Sequence, residues 1–322
     1  MMNLYKHITL AAGLASLLAL HACSAGDDGL PEIPTPNPPA EERVPLRIAS
    51  AAIGNGIGVQ TRANPALTAG SIGLFQKEDA TNNYEAIDNQ QFTYAAPFWQ
   101  TDNQILLGSS PAVIAAYYPY AAGRANPLLL NSHKYSDEAG NLCYVNLTAS
   151  KNDSHLTLNL ERVYTRLVFT LKGSGYPGDG KVSAMRLSGV GIVSVATLDL
   201  LNQSVFADAA NYGVYNVRQP LLDFEEVEIK AETQFTNTAD GKIDLLLVPT
   251  KLTDDITFTL TVDGITLSGK VSATALCGKA DGILREGVQY DVTLTVKPVK
   301  LEVASISIME WETEDLGEGE VN

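Results

Sequence analysis

Few residues of this 322-residue chain are of types and spacings that do covalent chemistry, and Cys23 is the foremost. It closes the run Leu20-His21-Ala22-Cys23, and a Leu-x-Ala-Cys ending is the bacterial lipobox. The small Ala22 suits a signal peptidase, and the Cys23 thiol takes a diacylglycerol before cleavage. Behind Met1 and Lys6, Ile8 to Leu20 supplies an apolar stretch shorter than the roughly 20 residues that span a bilayer. Residues 1–22 therefore read as a lipoprotein signal peptide. The mature chain is expected to begin at lipidated Cys23 and to fold outside the cytoplasm, with the lipid as its only anchor.

A catalytic reading lacks parts. His133 and His155 are the histidines left in the mature chain, and there is neither a His-x-x-x-His pair nor a Cys-x-x-Cys, so no metal site of normal ligand spacing is expected. No Gly-x-Ser-x-Gly elbow occurs. Gly54, Gly56 and Gly58 match no nucleotide-binding fingerprint, and no helical pattern follows them. Asp254-Asp255 and Glu225-Glu226 read as turn or solvated-face residues, because paired carboxylates are catalytic only where they converge in a cleft. Trp99 and the cluster Tyr117-Tyr118-Pro119-Tyr120 could stack on sugar rings, but aromatics of this kind more often close the end of a core. No enzyme, cofactor or catalytic residue is expected.

Charge narrows the partners. The formal net charge is −15, and removing the first 62 residues takes away four basic and five acidic groups, leaving 18 against 32. Nucleic acid is excluded as a partner, since phosphate binding needs clustered Lys and Arg. Besides Cys23 there are Cys143 and Cys277, too few and too far apart for a disulfide framework; two buried thiols are the favoured expectation over a bridge.

The elements that carry these residues are strands. After a tether over 23–43 that holds Pro31, Pro34, Pro36, Pro38 and Pro39, the residues Val44, Leu46, Ile48 and Ser50 alternate with Pro45, Arg47 and Ala49, the period of a half-buried strand. Further strands are expected at Ser71–Gln76, Phe92–Tyr94, Ala112–Tyr118, Ser154–Leu160 and Arg166–Leu171. The second half continues with Lys181–Leu187, Glu225–Glu232, Lys242–Val248, Ile256–Val262, Ile265–Val271, Tyr290–Val296 and Leu301–Ile308. Turn chemistry separates them, as in Ala239-Asp240-Gly241 and Asp263-Gly264. At most short helices are expected, one near Ala207–Asn211. The chain reads as all-β, with two sandwich domains in tandem, 44–160 and 161–322.

Taken in order, several segments resemble one family. They are the lipobox, the strand that leads to Thr61-Arg62-Ala63, Ser71-Ile-Gly-Leu-Phe75, Ala115-Ala-Tyr-Tyr-Pro-Tyr120, Leu160-Glu-Arg-Val-Tyr-Thr-Arg-Leu167, Gly287-Val-Gln-Tyr-Asp-Val-Thr-Leu-Thr295 and the closing Ile306–Trp311. Each is weak alone; their order resembles the fimbrillins of Bacteroidales, lipoprotein precursors of type V pili. The resemblance implies transthyretin-like, Greek-key sandwiches and a structural subunit, stalk or tip. It implies delivery to the outer membrane on the Cys23 lipid, a cut by an extracellular arginine-specific protease, and assembly with other fimbrial subunits into a surface fimbrium. Carried onto this chain, the cut falls between Arg62 and Ala63 and frees the first strand, 44–53. Arg43 and Arg47 compete for it, but Arg47 lies inside the expected strand, whereas Arg62 follows a glycine-rich stretch open to a protease.

Loss of that strand would remove Val44, Leu46, Ile48 and Ile53 and leave an apolar groove with an unpaired edge, a template for a strand from a neighbour. The donor candidate lies within 301–322. Leu301 and Val303, then Ile306 and Ile308, then Met309 and Trp311 alternate with two slips of phase. The same residues would also make an ordinary last strand of the C-terminal domain. A different class of function stays open: a monomeric surface lipoprotein that binds glycan or another host ligand and keeps its first strand.

Overall fold

A computed structural model describes residues 42–54, 66–135, 142–202, 226–237 and 240–311. More than half of these residues are in strands. The first half holds β1 (Val44–Pro45), β2 (Arg47–Gly54), β3 (Ser71–Gln76), β4 (Ile87–Ala95), β5 (Phe98–Gln100), β6 (Leu106–Leu107), β7 (Ala112–Tyr118), β8 (Leu128–Asn131), β9 (His133–Lys134), β10 (Cys143–Ala149) and β11 (His155–Arg162). The second holds β12 (Thr165–Gly173), β13 (Lys181–Ser188), β14 (Val195–Leu198), β15 (Glu226–Gln234), β16 (Asp240–Leu247), β17 (Thr250–Lys251), β18 (Ile256–Val262), β19 (Ile265–Val271), β20 (Ile283–Leu284), β21 (Val288–Val296) and β22 (Leu301–Glu310). One short α-helix among the described residues, α1 (Ala273–Cys277), is closed by Ser272, whose Oγ accepts from the Ala275 amide, and by Gly278 in the left-handed region. The helix expected near Ala207–Asn211 lies outside the described residues.

Seven strands form one sheet in the order β2-β11-β10-β7-β3-β4-β5, and it bends until its two edge strands approach each other. The bend sits between β10 and β11, which are paired only at Cys143 with Arg162 and Tyr144 with Glu161. Inside lies a core that includes Leu46, Ile48, Ile53, Ile72, Phe92, Ile114 and Leu158. In the second half, a five-stranded sheet β22-β21-β12-β16-β9 and a four-stranded sheet β15-β13-β18-β19 contribute to a second core, with Phe169, Phe258, Leu260 and Val292 among its members. Alternation explains both. The strand β11 buries every second side chain, as do β18 and β21.

A third apolar cluster joins the two. It gathers Phe75, Tyr117, Leu130 and Tyr144 from the first half with Val163, Tyr164, Leu198, Leu246 and Trp311. The segment from Leu128 to Lys134 crosses this seam, where β8 pairs with β14 and β9 pairs with β16. Only Val163 and Tyr164 separate β11 from β12.

Tyr117 shows how tight the packing is. Its ring stacks on Phe75 at 5.6 Å, its hydroxyl donates to Asn89 Oδ1 at 2.6 Å, and it lies across the strand from Gly73. A Cβ at residue 73 would sit 2.1 Å from Tyr117 Cε1, so only glycine leaves the ring in place. The substitution Gly73→Ala should therefore lower stability by about 1–3 kcal/mol through overpacking. Urea denaturation should show a lower midpoint at unchanged slope.

Candidate functional site

The residues singled out at the two ends of the chain fall on two edge strands. In β1, Val44 pairs with Leu107 and is half-buried, and the Leu46 amide donates to Ile105 O at 2.7 Å. The strand β2 then runs parallel to β11, from Arg47 opposite His155 to Gly54 opposite Glu161. Leu46 and Ile48 are buried, as the alternation requires, and Ile53 is buried on the opposite phase, while Ser50 is exposed. A bulge between Leu156 and Thr157 shifts the register, so Ala51 takes the inward position and Ser50 Oγ donates to Thr157 Oγ1 instead.

The strand is fastened lightly elsewhere. Ala66 makes an isolated bridge with Ala52, and the Leu67 amide donates to Ala51 O at 2.8 Å. Between Gly54 and Ala66 the chain, with Arg62 and Ala63 in it, lies outside the described residues, as does Cys23. The two competing arginines are both engaged. Arg43 Nη2 donates to the Asn83 carbonyl at 2.9 Å while its guanidinium covers the Tyr84 ring at 5.1 Å. Arg47 sits in the ladder, its amide donating to Ser154 O at 2.8 Å.

At the other end, β22 pairs antiparallel with β21, from Leu301 opposite Val296 to Glu310 opposite Val288. The first slip of phase is a bulge at Ala304, between Val303 and Ser305. The second is no irregularity of the ladder: Ile308 and Met309 stay in register with Tyr290 and Gln289 and face opposite sides. Leu301 is buried, Val303 and Ile306 pack partly against the second core, and Ile308 and Met309 are 40% and 43% exposed. The strand is thus an edge element with a semi-apolar side free.

Trp311 differs from the rest of that set. It follows β22, is 1% exposed, and its amide donates to Gly287 O at 3.1 Å. The guanidinium of Arg162, itself 2% exposed, covers the indole at 4.3 Å, and that of Arg166 approaches at 5.5 Å. Arg166 also covers Tyr135 at 4.3 Å and pairs with Asp244, its Nε lying 3.1 Å from both carboxylate oxygens. Cation–π contacts of this kind offset part of the cost of burying the charge. Nothing in the spacing of Arg162, Arg166 and Trp311 announces this cluster, because it joins the end of one strand to a residue almost 150 positions later.

Two thiols and two aromatics complete the account. Cys143 and Cys277 are free and buried, each pushed up to about 12 chiefly by burial, and so are neutral and inert. Trp99 and Tyr117 are buried in the sheet rather than offered to solvent. Among the described residues no group of three His, Cys, Asp or Glu side chains could hold a metal.

Comparison with known proteins follows this geometry. A model of the fimbrillin-like family matches residues 61–311, and the chain belongs to that family. The strands β1 and β2 lie ahead of the matched span. A candidate cell adhesion protein from Bacteroides ovatus superposes with a TM-score of 0.56 at 13% identity, covering 85% of this chain and 100% of that one. A second, from Bacteroides uniformis, gives 0.51 at 15%, covering 84% and 99%. The tip fimbrial protein Mfa3 of Porphyromonas gingivalis, C-terminally truncated, matches more loosely, with 0.38 at 11% over 76% of this chain and 94% of that one. No curated protein matches.

Glu286 supplies a test of the seam. It precedes Gly287, whose amide donates to Tyr164 O and whose carbonyl holds Trp311. Burial pushes its carboxyl up to about 7 from 4.5; Glu161 adds to the rise, and a hydrogen bond from its own backbone opposes it. The folded state therefore holds this proton more tightly than the unfolded one. Its contribution to stability is complete below pH 4.5 and is lost as pH rises through about 7. Glu286→Gln should match the parent at pH 4.5 and exceed it at pH 8. Because the side chain keeps some surface in water, the gain expected is about 1–2 kcal/mol rather than the full ~3. Denaturation curves at the two pH values check this.

Proposed function

We propose that this chain is a structural subunit, stalk or tip, of a cell-surface pilus, assembled by strand exchange after its first strand is cut away. The observation that carries the reading is the placement of β1 and β2. They form an N-terminal edge whose long strand has one continuous ladder partner, β11, yet they put Leu46, Ile48 and Ile53 into the core. Membership of the fimbrillin-like family supports the same reading. In it the precursor reaches the outer membrane on the Cys23 lipid, an arginine-specific extracellular protease cuts after Arg62, and the mature subunit joins others in the fimbrium.

Removal of 44–54 would open a groove walled by Leu156, Leu158 and Leu160 of β11 and, at its N-terminal end, by Ile105 and Leu107. Three buried side chains at about 1.5–3 kcal/mol each leave on the order of 5–9 kcal/mol for a replacing strand, before ordering costs. The edge of β11 adds unpaired backbone groups that a strand can satisfy. The donor is β22 of a second subunit, a long edge strand at the opposite terminus. The engagement of Arg43 with Tyr84 and of Arg47 in the ladder favours Arg62 as the cut. Burial of Trp99 and Tyr117 withdraws two of the aromatics on which a glycan-binding monomer would rely, while Tyr118 and Tyr120 are half-buried.

Limited trypsin treatment of the soluble chain should give a discrete cut after Arg62, followed by ladders on a gel. A chain that loses residues up to Arg62 cleanly and stays monomeric would sink the proposal. The variant Arg62→Ala should fold normally and fail to assemble under the same treatment; polymer at the parental level would remove Arg62 as the trigger.

A further inference from the structure

Both edge strands meet β11: β2 pairs along it, and Trp311, which follows β22, lies under Arg162 at its end. Over His155–Glu161 the ladder partner of β11 is β2, whereas its pairing with β10 is confined to Glu161 and Arg162. Arg162 is thus the residue at which β11 passes from a removable partner to a permanent one. It is also the residue whose guanidinium covers Trp311, and Trp311 directly follows β22. The strand β22 has a ladder partner on one side only, β21. Its far end is fastened by the seating of Trp311 among Arg162, Arg166 and Tyr135 and by the hydrogen bond to Gly287 O.

We propose that Arg162 and Trp311 form a clasp through which the first strand holds the last one. While β2 lies along β11, Arg162 is held in place and keeps Trp311 seated; when β2 leaves, most of β11 loses its ladder partner, Arg162 loosens, and the end of β22 opens. The bistable element is the terminus of β22, seated or free, and β2 favours the seated state because it orders the strand that carries Arg162. Opening of the groove in a subunit and release of its donor strand are then one event. The inference rests on the strand-exchange reading for its purpose, but the coupling itself is a property of the single chain.

Hydrogen exchange and fluorescence measure it on dilute monomer. A Trp99→Phe background leaves Trp311 as the sole indole, since the chain has two tryptophans. In the uncut chain Trp311 should emit as a buried indole and resist acrylamide. After removal of residues up to Arg62, its quenching should rise several-fold and the amides of β22 should exchange at least tenfold faster, while those of β13 and β18 keep their protection. The uncut variant Ile48→Ala, which weakens β2 without removing it, should show a smaller change of the same sign. The uncut variants Trp311→Phe and Arg162→Ala, the second of which removes the cover of the indole without putting an apolar plug in its place, should show fast β22 exchange with β2 still protected.

Unchanged quenching and unchanged β22 exchange, in both the cut chain and Ile48→Ala, would overturn the clasp. Gel ladders scored in parallel separate the two ideas. Ladders without loosening of β22 leave strand exchange standing and remove the clasp; loosening without ladders does the reverse.

Discussion

The parallel pairing of β2 with β11 is the contact on which the rest of this molecule depends. A parallel pair cannot be made by a tight turn, and here the two strands are about 100 residues apart in sequence. The edge position and the N-terminal origin of β2 mean that, in the proposed assembly, one cut of the chain between Gly54 and Ala66 would free it. Hairpin-bound edges lack this property; β18 and β19, for instance, are joined through Asp263 and Gly264 and could leave only together. Topology, more than the identity of any one side chain, is what the proposed exchange of the first strand draws on.

Strands with clean alternation were legible in the sequence. Ser71–Gln76, Ala112–Tyr118, Ile256–Val262 and Ile265–Val271 have the same bounds when read from residue pattern and when read from the ladder. The strand β10, which pairs along the whole of β7, was missed although Cys143, Val145, Leu147 and Ala149 alternate with Tyr144, Asn146 and Thr148; its burial does not follow that alternation, since Val145, Asn146 and Leu147 are all partly buried. The pair β8 and β14 is short, and its partners lie 64 to 70 residues apart, from Val195 with Asn131 to Leu198 with Leu128. The helix α1 did carry a local signal, Ser272 before it and Gly278 after it, but five residues are too few to show a helical period.

At the candidate site the same division holds. The inward residues of the first strand followed from alternation up to Ile48, and the reading failed at Ser50, because a bulge is set by the partner strand rather than by local sequence. In β22 one slip of phase was a bulge and the other an outward-facing Met309, a distinction that only the register with β21 makes. Trp311 read as one more apolar residue in a strand. Its contact with Arg162 depends on two chain segments meeting at the seam, and residue spacing along the chain carries no trace of it.

The chemistry of that contact suits a temporary fastening. An apolar plug in place of Arg162 would lower the cost of closing the seam and raise the cost of opening it, since all its burial energy would be lost on exposure. A buried guanidinium reverses the balance: desolvation of the charge offsets much of what the indole face returns, and on opening Arg162 regains water. In the proposed clasp the seated state thus depends in part on neighbouring strands holding the guanidinium against the ring. Glu286, buried nearby at a pKa of about 7, adds a second group whose charge is better accommodated in water than in the seam. A joint built from buried ionisable groups is weaker than the apolar cores on either side of it, and strain passed along β11 would find its outlet there first.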